Sequence, residues 1–159
     1  MIDAKKARMV AEAFDQAAKT VNGSVDMLET VIIRSEKCGT VACHAGWYAL
    51  MTIKEQEWHF SEYLGCEYLK TSNPGCMGMG FTYGKIKMAL DLGFPCADRL
   101  EDWAQANPEI WGNAFGNRMF GSTEAFGKDE RCNVTLAEIA DHWHRVSDRL
   151  EKSEMRIEK

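Results

Sequence analysis

The chain has 159 residues, 45% hydrophobic and 27% charged, with 3 prolines; this is enough for one domain that buries roughly two thirds of its unfolded surface without staples. Its 24 acidic residues against 19 basic ones give a net charge of -5. That balance excludes non-specific nucleic-acid binding, which depends on Lys and Arg displacing counterions from phosphates. Acids and bases alternate along the expected helices, so the charge reads as solvation of the surface.

The first element is a helix, because Ala7, Val10, Ala11, Phe14, Ala17, Ala18 and Val21 recur at spacings of three and four. Asp3 is placed to cap its start, and Asn22-Gly23 to end it. In the following "SVDMLETVIIRS", the β-branched run Thr30 to Ile33 competes with the helical spacing of Val25, Leu28 and Ile32. A helix is expected there.

"CGTVACHAGW", residues 38 to 47, is the most distinctive stretch. With Thr40 as N-cap, Val41, Ala42 and Cys43 would form the first turn of a helix running to about Thr52. Cys43 would then sit among unpaired backbone N–H groups, which favour a thiolate, with Cys38 within reach as a resolving thiol or second ligand. The structural alternative is equally concrete. Ala42, Gly46 and Ala49 would make a small-residue face for a closely packed helix, with Cys43 a small buried hydrophobe.

Residues 54 to 70 carry Trp58, Phe60, Tyr63 and Tyr68 without a clean period and are expected to form one or two irregular helices. "TSNPGCMGMG" is a loop by its Pro and Gly content, and helix resumes near Lys85 until Gly93 and Pro95. Asp98 with Glu101 opens a short helix carrying Leu100, Trp103 and Ala104, and Pro108 fits the first position of another. "WGNAFGNRMFGSTEAFG" should be a compact glycine-aromatic loop. The last helix is signposted by a Thr135/Glu138 capping box and a Val134/Ile139 staple. Leu136, Ile139, Ala140, Trp143, Val146 and Leu150 form its buried stripe, and residues 152–159 are expected to fray.

The expected fold is therefore all-α, a single compact bundle of five to seven helices over residues 1–159 with one Gly/aromatic-rich loop. No stretch approaches the roughly 20 apolar residues that cross a bilayer, and no apolar segment follows the basic residues of "MIDAKKARMV". A cytoplasmic location is expected, with the 6 cysteines as thiols.

Several motifs fail on inspection. In "GCMGMGFTYGK", Met79 and Ile86 stand where a phosphate-binding loop needs Gly and Ser or Thr. For zinc, Cys38, Cys43 and His44 could be joined by His59, Cys66, Cys76, His142 or His144, but the spacings match no zinc pattern. His142 and His144 lie about 200° apart on a helix and cannot grip one ion; each is expected half-exposed beside Glu138 or Asp141. No metal and no cofactor is expected. A thiol enzyme would use Cys43 as nucleophile, with His142, His144 or His59 as base.

The ten residues of "CGTVACHAGW" resemble a stretch, CGTxxCxAGW, shared by a broad group of small, uncharacterised bacterial and phage proteins. "RMF" followed by "VTLAEIADHW" is similar to that group's closing helix. The resemblance implies a cytoplasmic, all-helical domain from a phage, prophage or mobile element. It also implies a role in binding a host protein, an inhibitor of a host defence complex being one example. His44 occupies a position expected to be apolar in the group, which fits a solvent-facing first turn.

The function expected from these residues is that of a non-enzymatic interaction protein with an unidentified protein partner, a host protein among the candidates. The contact residues expected are Trp111, Asn113, Phe115, Asn117 and Arg118, hot-spot types placed on a loop, unless those aromatics only cap the core. The alternatives are a thiol enzyme or redox protein on Cys43 with Cys38, and a zinc protein. A homodimer is compatible with five Trp.

Overall fold

The computed structural model describes residues 2–20, 23–25, 32–35, 39–52, 56–63, 65–70, 80–112 and 134–157. Among these residues, six helices and a five-stranded mixed sheet make it an α/β protein, which overturns the all-α expectation. In chain order the elements are α1 (Ala4–Thr20), β1 (Gly23–Val25), β2 (Ile33–Ser35), β3 (Gly39–Ala42), α2 (His44–Thr52), β4 (Glu57–Ser61), β5 (Cys66–Lys70), α3 (Gly80–Asp91), α4 (Ala97–Ala106), α5 (Pro108–Trp111) and α6 (Leu136–Ile157). The sheet order is β1-β3-β2-β5-β4, with β1 parallel to β3 and every other pairing antiparallel.

Strands lie within both stretches where helix was expected, at 23–25 and 33–35 and at 57–61 and 66–70, and at the start of the cysteine motif, while residues 26–31 lie outside the described residues. Each is only three to five residues long, too short to display a period of two. What stabilises them is pairing with residues far along the chain, such as Ile33 with both Val41 and Tyr68. Alternation puts Val25, Ile32, Ala42, Trp58 and Leu69 on one face of the sheet. Val25, Ile32, Ala42 and Leu69 are buried, and Trp58 packs half-buried against the core.

The helices follow local signals more closely. Asp3 caps α1 by accepting a hydrogen bond from the Lys6 N–H at 2.8 Å, and the buried face is Ala7, Val10, Ala11, Phe14 and Ala17 as the spacing predicts, although Ala18 lies outside it. The capping box of α6 is formed both ways: Glu138 N–H donates to Thr135 Oγ1 at 3.1 Å, and Thr135 N–H donates to Glu138 Oε1 at 3.2 Å. All six residues of the expected α6 stripe are buried. The helix does not fray at 152 but continues to Ile157, because its end is used: Glu154 Oε1 accepts the Ala4 N–H at 3.0 Å.

α1 and α6 pack antiparallel, tied by Arg8–Glu151 at 3.0 Å, by His144–Asp15 at 2.6 Å and by the buried Ser147 hydroxyl donating to the Ala4 carbonyl at 2.8 Å. α2 packs on α3, where a Cβ on Gly84 would stand 1.8 Å from the Ala45 carbonyl oxygen. The close approach therefore depends on Gly84, with Ala45 rather than the expected Ala42/Gly46/Ala49 face as its partner. α2 also lies against α1, so it joins the sheet to the helical pair. Among the described residues no helix is long and apolar enough to cross a membrane.

Candidate functional site

The cysteine motif forms the passage from β3 into α2. Gly39 has a φ of 66°, in the left-handed region that only glycine enters cheaply. Thr40 is not an N-cap: it lies in β3, opposite Gly23 and Arg34. Cys43 takes that place, one residue before the helix. Its Sγ accepts the Gly46 N–H at 3.3 Å, a sulfur performing the task of a capping oxygen. Cys43 is buried, and the sulfur lies against the position a Gly46 Cβ would take. Cys38 lies outside the described residues.

The rest of the motif is equally committed to packing. The Trp47 ring fills the space where Gly23 lacks a side chain, and its Nε1–H donates to the Ser24 carbonyl at 2.9 Å. His44 is fully buried, not solvent-facing as the resemblance had suggested. Its Nε2 accepts the Trp143 indole N–H at 3.0 Å, which requires that nitrogen to carry no proton. Its ring stacks with Trp111 at a centroid distance of 6.5 Å and lies 5.5 Å from Phe14.

Beyond His44 the cluster continues into α5 and α6. Trp111 meets His142 edge-on at 4.2 Å and Trp143 at 5.2 Å. His142 is buried rather than half-exposed, since the α6 residues that face α1 and α5 span a wider arc than the apolar stripe. Burial, aided by the neighbouring His44 and then by the Arg145 and Arg149 charges, lowers its pKa to about 3. Tyr48, on the next turn of α2, donates its phenol proton to Asp91 Oδ2, whose other oxygen accepts from Lys87 Nζ at 2.8 Å. Burial and the Asp91 carboxylate push the Tyr48 phenol above its ordinary range.

Trp111 was expected on a contact loop. It ends α5 and is fully buried, its indole face turned to the histidines. Its backbone is held in turn by α6, since Arg149 Nη1 donates to the neighbouring Ile110 carbonyl at 2.9 Å. Asn113, Phe115, Asn117 and Arg118 lie outside the described residues. The other two histidines lie apart from this cluster: His59 is on β4, 3.1 Å from Glu57 Oε1, while His144 pairs with Asp15. Among the described residues no three His, Cys, Asp or Glu side chains gather to hold a metal ion.

On the outer surface, α4 and the turn before it form an open groove of about 580 Å³. Phe94 and Trp103 floor it, with ring centroids 6.1 Å apart and both half-buried. Pro95, Arg99, Asp102 and Asn107 line the rest, with Arg99 and Asp102 exposed. The sequence grouped Trp103 with Leu100 and Ala104 on one short helix, and this groove did not show in that grouping. The available signal was Arg99 and Trp103 one turn apart, just after Phe94-Pro95, which is a hot-spot composition.

No known family, curated protein or solved structure matches the chain.

Proposed function

We propose that the chain is a small cytoplasmic protein-binding domain without chemistry of its own, from a phage, prophage or mobile element, that acts by holding another protein, a host protein among the candidates. The observation that carries this reading is the α4 groove. It gathers Trp, Phe and Arg, the residue types that dominate interface energies, in a concave apolar surface with a cation and a carboxylate at its rim. The groups that would serve catalysis are meanwhile used in packing: Cys43 as a cap, His44 as an acceptor and His142 as a buried aromatic neighbour. A partner segment would rest an apolar side chain on Phe94 and Trp103 and present opposite charges to Arg99 and Asp102.

One observation favours a second reading. The Cys43 sulfur receives a backbone N–H at a helix start, an environment that stabilises a thiolate. A thiol enzyme or redox protein using Cys43 with Cys38 is the rival it supports. A zinc protein has only the cysteine and histidine content of the chain behind it.

One experiment separates them. The native protein is titrated with a colorimetric thiol reagent from pH 5 to 9 while metal is measured on the same sample. In parallel, wild type and an Arg99→Glu/Asp102→Lys variant are compared for capture of a partner from bacterial lysate. Expected are slow reaction of Cys43, no bound zinc, and a partner that the variant loses at unchanged thermal stability. A thiol that reacts fast at pH 6 and disappears in Cys43→Ser would establish the thiol reading instead. A partner held equally well by the variant would remove the groove from the account.

A further inference from the structure

The outer edge of β4 has a sequence that complements itself. β4 ends the sheet, and among the described residues no strand pairs with its outer side. Edge strands of monomers are commonly guarded by Lys, Pro or a bulge, since their free N–H and C=O groups otherwise recruit another strand. β4 reads Glu57-Trp58-His59-Phe60-Ser61 and carries neither Lys nor Pro, its one charged side chain, Glu57, standing at its start. It adjoins large exposed apolar surface: Phe60 is 67% and Tyr63 is 96% exposed.

Two antiparallel copies of β4 centred on His59 would place Trp58 opposite Phe60, Glu57 opposite Ser61, and Gln56 opposite Glu62. Every pair is compatible: aromatic with aromatic, carboxylate with hydroxyl, amide with carboxylate, and no like charges opposed. A register centred one residue away would set Phe60 against Phe60 but Glu57 against Tyr63. One centred the other way would set Trp58 against Trp58 but Phe60 against Gln56. Only the His59 register sets both Trp58 and Phe60 against an aromatic ring of the second copy.

The face is set by the sheet as well. Trp58 and Phe60 lie on the same side, where the Arg34 guanidinium sits 4.0 Å from the Trp58 ring and 2.9 Å from Glu67 Oε2. Phe60 from a second copy would extend that row from Arg34 through Trp58, covering a ring that the monomer leaves in solvent.

We propose that β4 is a self-association edge at which two copies of this chain join their five-stranded sheets into one of ten strands, about a two-fold axis through His59. A single pair of five-residue edge strands makes a short contact, so exchange between dimer and monomer is expected within the micromolar to submillimolar range. The proposal is independent of the α4 groove, which shares no residue with β4.

The test is the solution mass, measured by light scattering across the micromolar to submillimolar range. Wild type is expected to move from 18.0 kDa towards twice that value as concentration rises. Phe60→Lys, at an exposed position, and His59→Lys, which opposes two cations on the axis, should each raise the dissociation constant at least about tenfold. Their circular dichroism and thermal midpoints should stay close to those of wild type. A wild type that stays monomeric throughout would overturn the proposal. So would a dimer that both folded variants keep. Should one variant misfold, the other decides.

Discussion

At the residue scale, single atoms decide how closely the elements meet. Gly84 is the sharpest case, since an added methyl would overlap the backbone of Ala45, and no rotamer can relieve a clash with a carbonyl. Gly84→Ala gains about 1 kcal/mol of helix propensity but should still destabilise by more than about 2 kcal/mol in urea unfolding, because α2 and α3 must move apart. Cys43→Ala removes the acceptor of the Gly46 N–H and should cost about 1 kcal/mol, the usual loss of a helix cap. His142 gives a pH dependence of known sign. Its folded pKa of about 3 lies below the ordinary 6.5, so between those values the unfolded chain binds a proton that the folded chain does not. Stability therefore falls as pH drops from about 6.5 towards 3, by about 1.4 kcal/mol per unit from this group. His142→Phe, which keeps a ring beside Trp111, should lose about 2 kcal/mol less than wild type between pH 7.5 and 5 in paired urea titrations.

At the element scale, the α1/α6 pair shows which contacts matter. The side chains of its Arg8–Glu151 and His144–Asp15 pairs are between 38% and 54% exposed, and ion pairs so open to solvent contribute little. The buried hydroxyl is different. Ser147→Ala would leave the Ala4 carbonyl without that donor inside the interface, and should cost about 1 to 2 kcal/mol. Thr135→Ala removes the Oγ1 that accepts the Glu138 N–H, while the backbone N–H of residue 135 can still donate to Glu138, and should cost about 1 kcal/mol, whereas Thr135→Ser should be nearly neutral; thermal unfolding of the two variants checks the difference. These two helices were legible in the sequence because their caps and stripes are written within a few residues. The strands were not. Thr30 to Ile33 and the aromatics of 58 to 68 are β-formers, but in segments so short their partners outweigh their pattern.

At the scale of the whole molecule, α2 is shared by everything: Gly46 lies against Ile32 next to β2, Ala45 against α3, His44 against Phe14, Trp111 and Trp143. Sheet and helical pair should therefore unfold together. Tryptophan fluorescence and far-ultraviolet dichroism are expected to give one coincident urea transition. The candidate site was partly visible in advance, since the sequence singled out the cysteine motif and offered packing as one of its two readings. Arg99 and Trp103 could be seen as neighbours on one helix; that they face a groove with Phe94 could not.

What the sequence by itself determined is local: where α1 and α6 begin, which faces they bury, and that Pro108 opens a helix. Each rests on bonds between residues three or four apart. The tertiary structure alone decided that Cys43 caps rather than opens a first turn, that His44 and His142 are buried, and that the chain is α/β. Those outcomes depend on partners tens of residues distant, such as Trp143 for His44 and Tyr68 for Ile33, and a contact that spans such a separation leaves no periodic trace in either segment it joins.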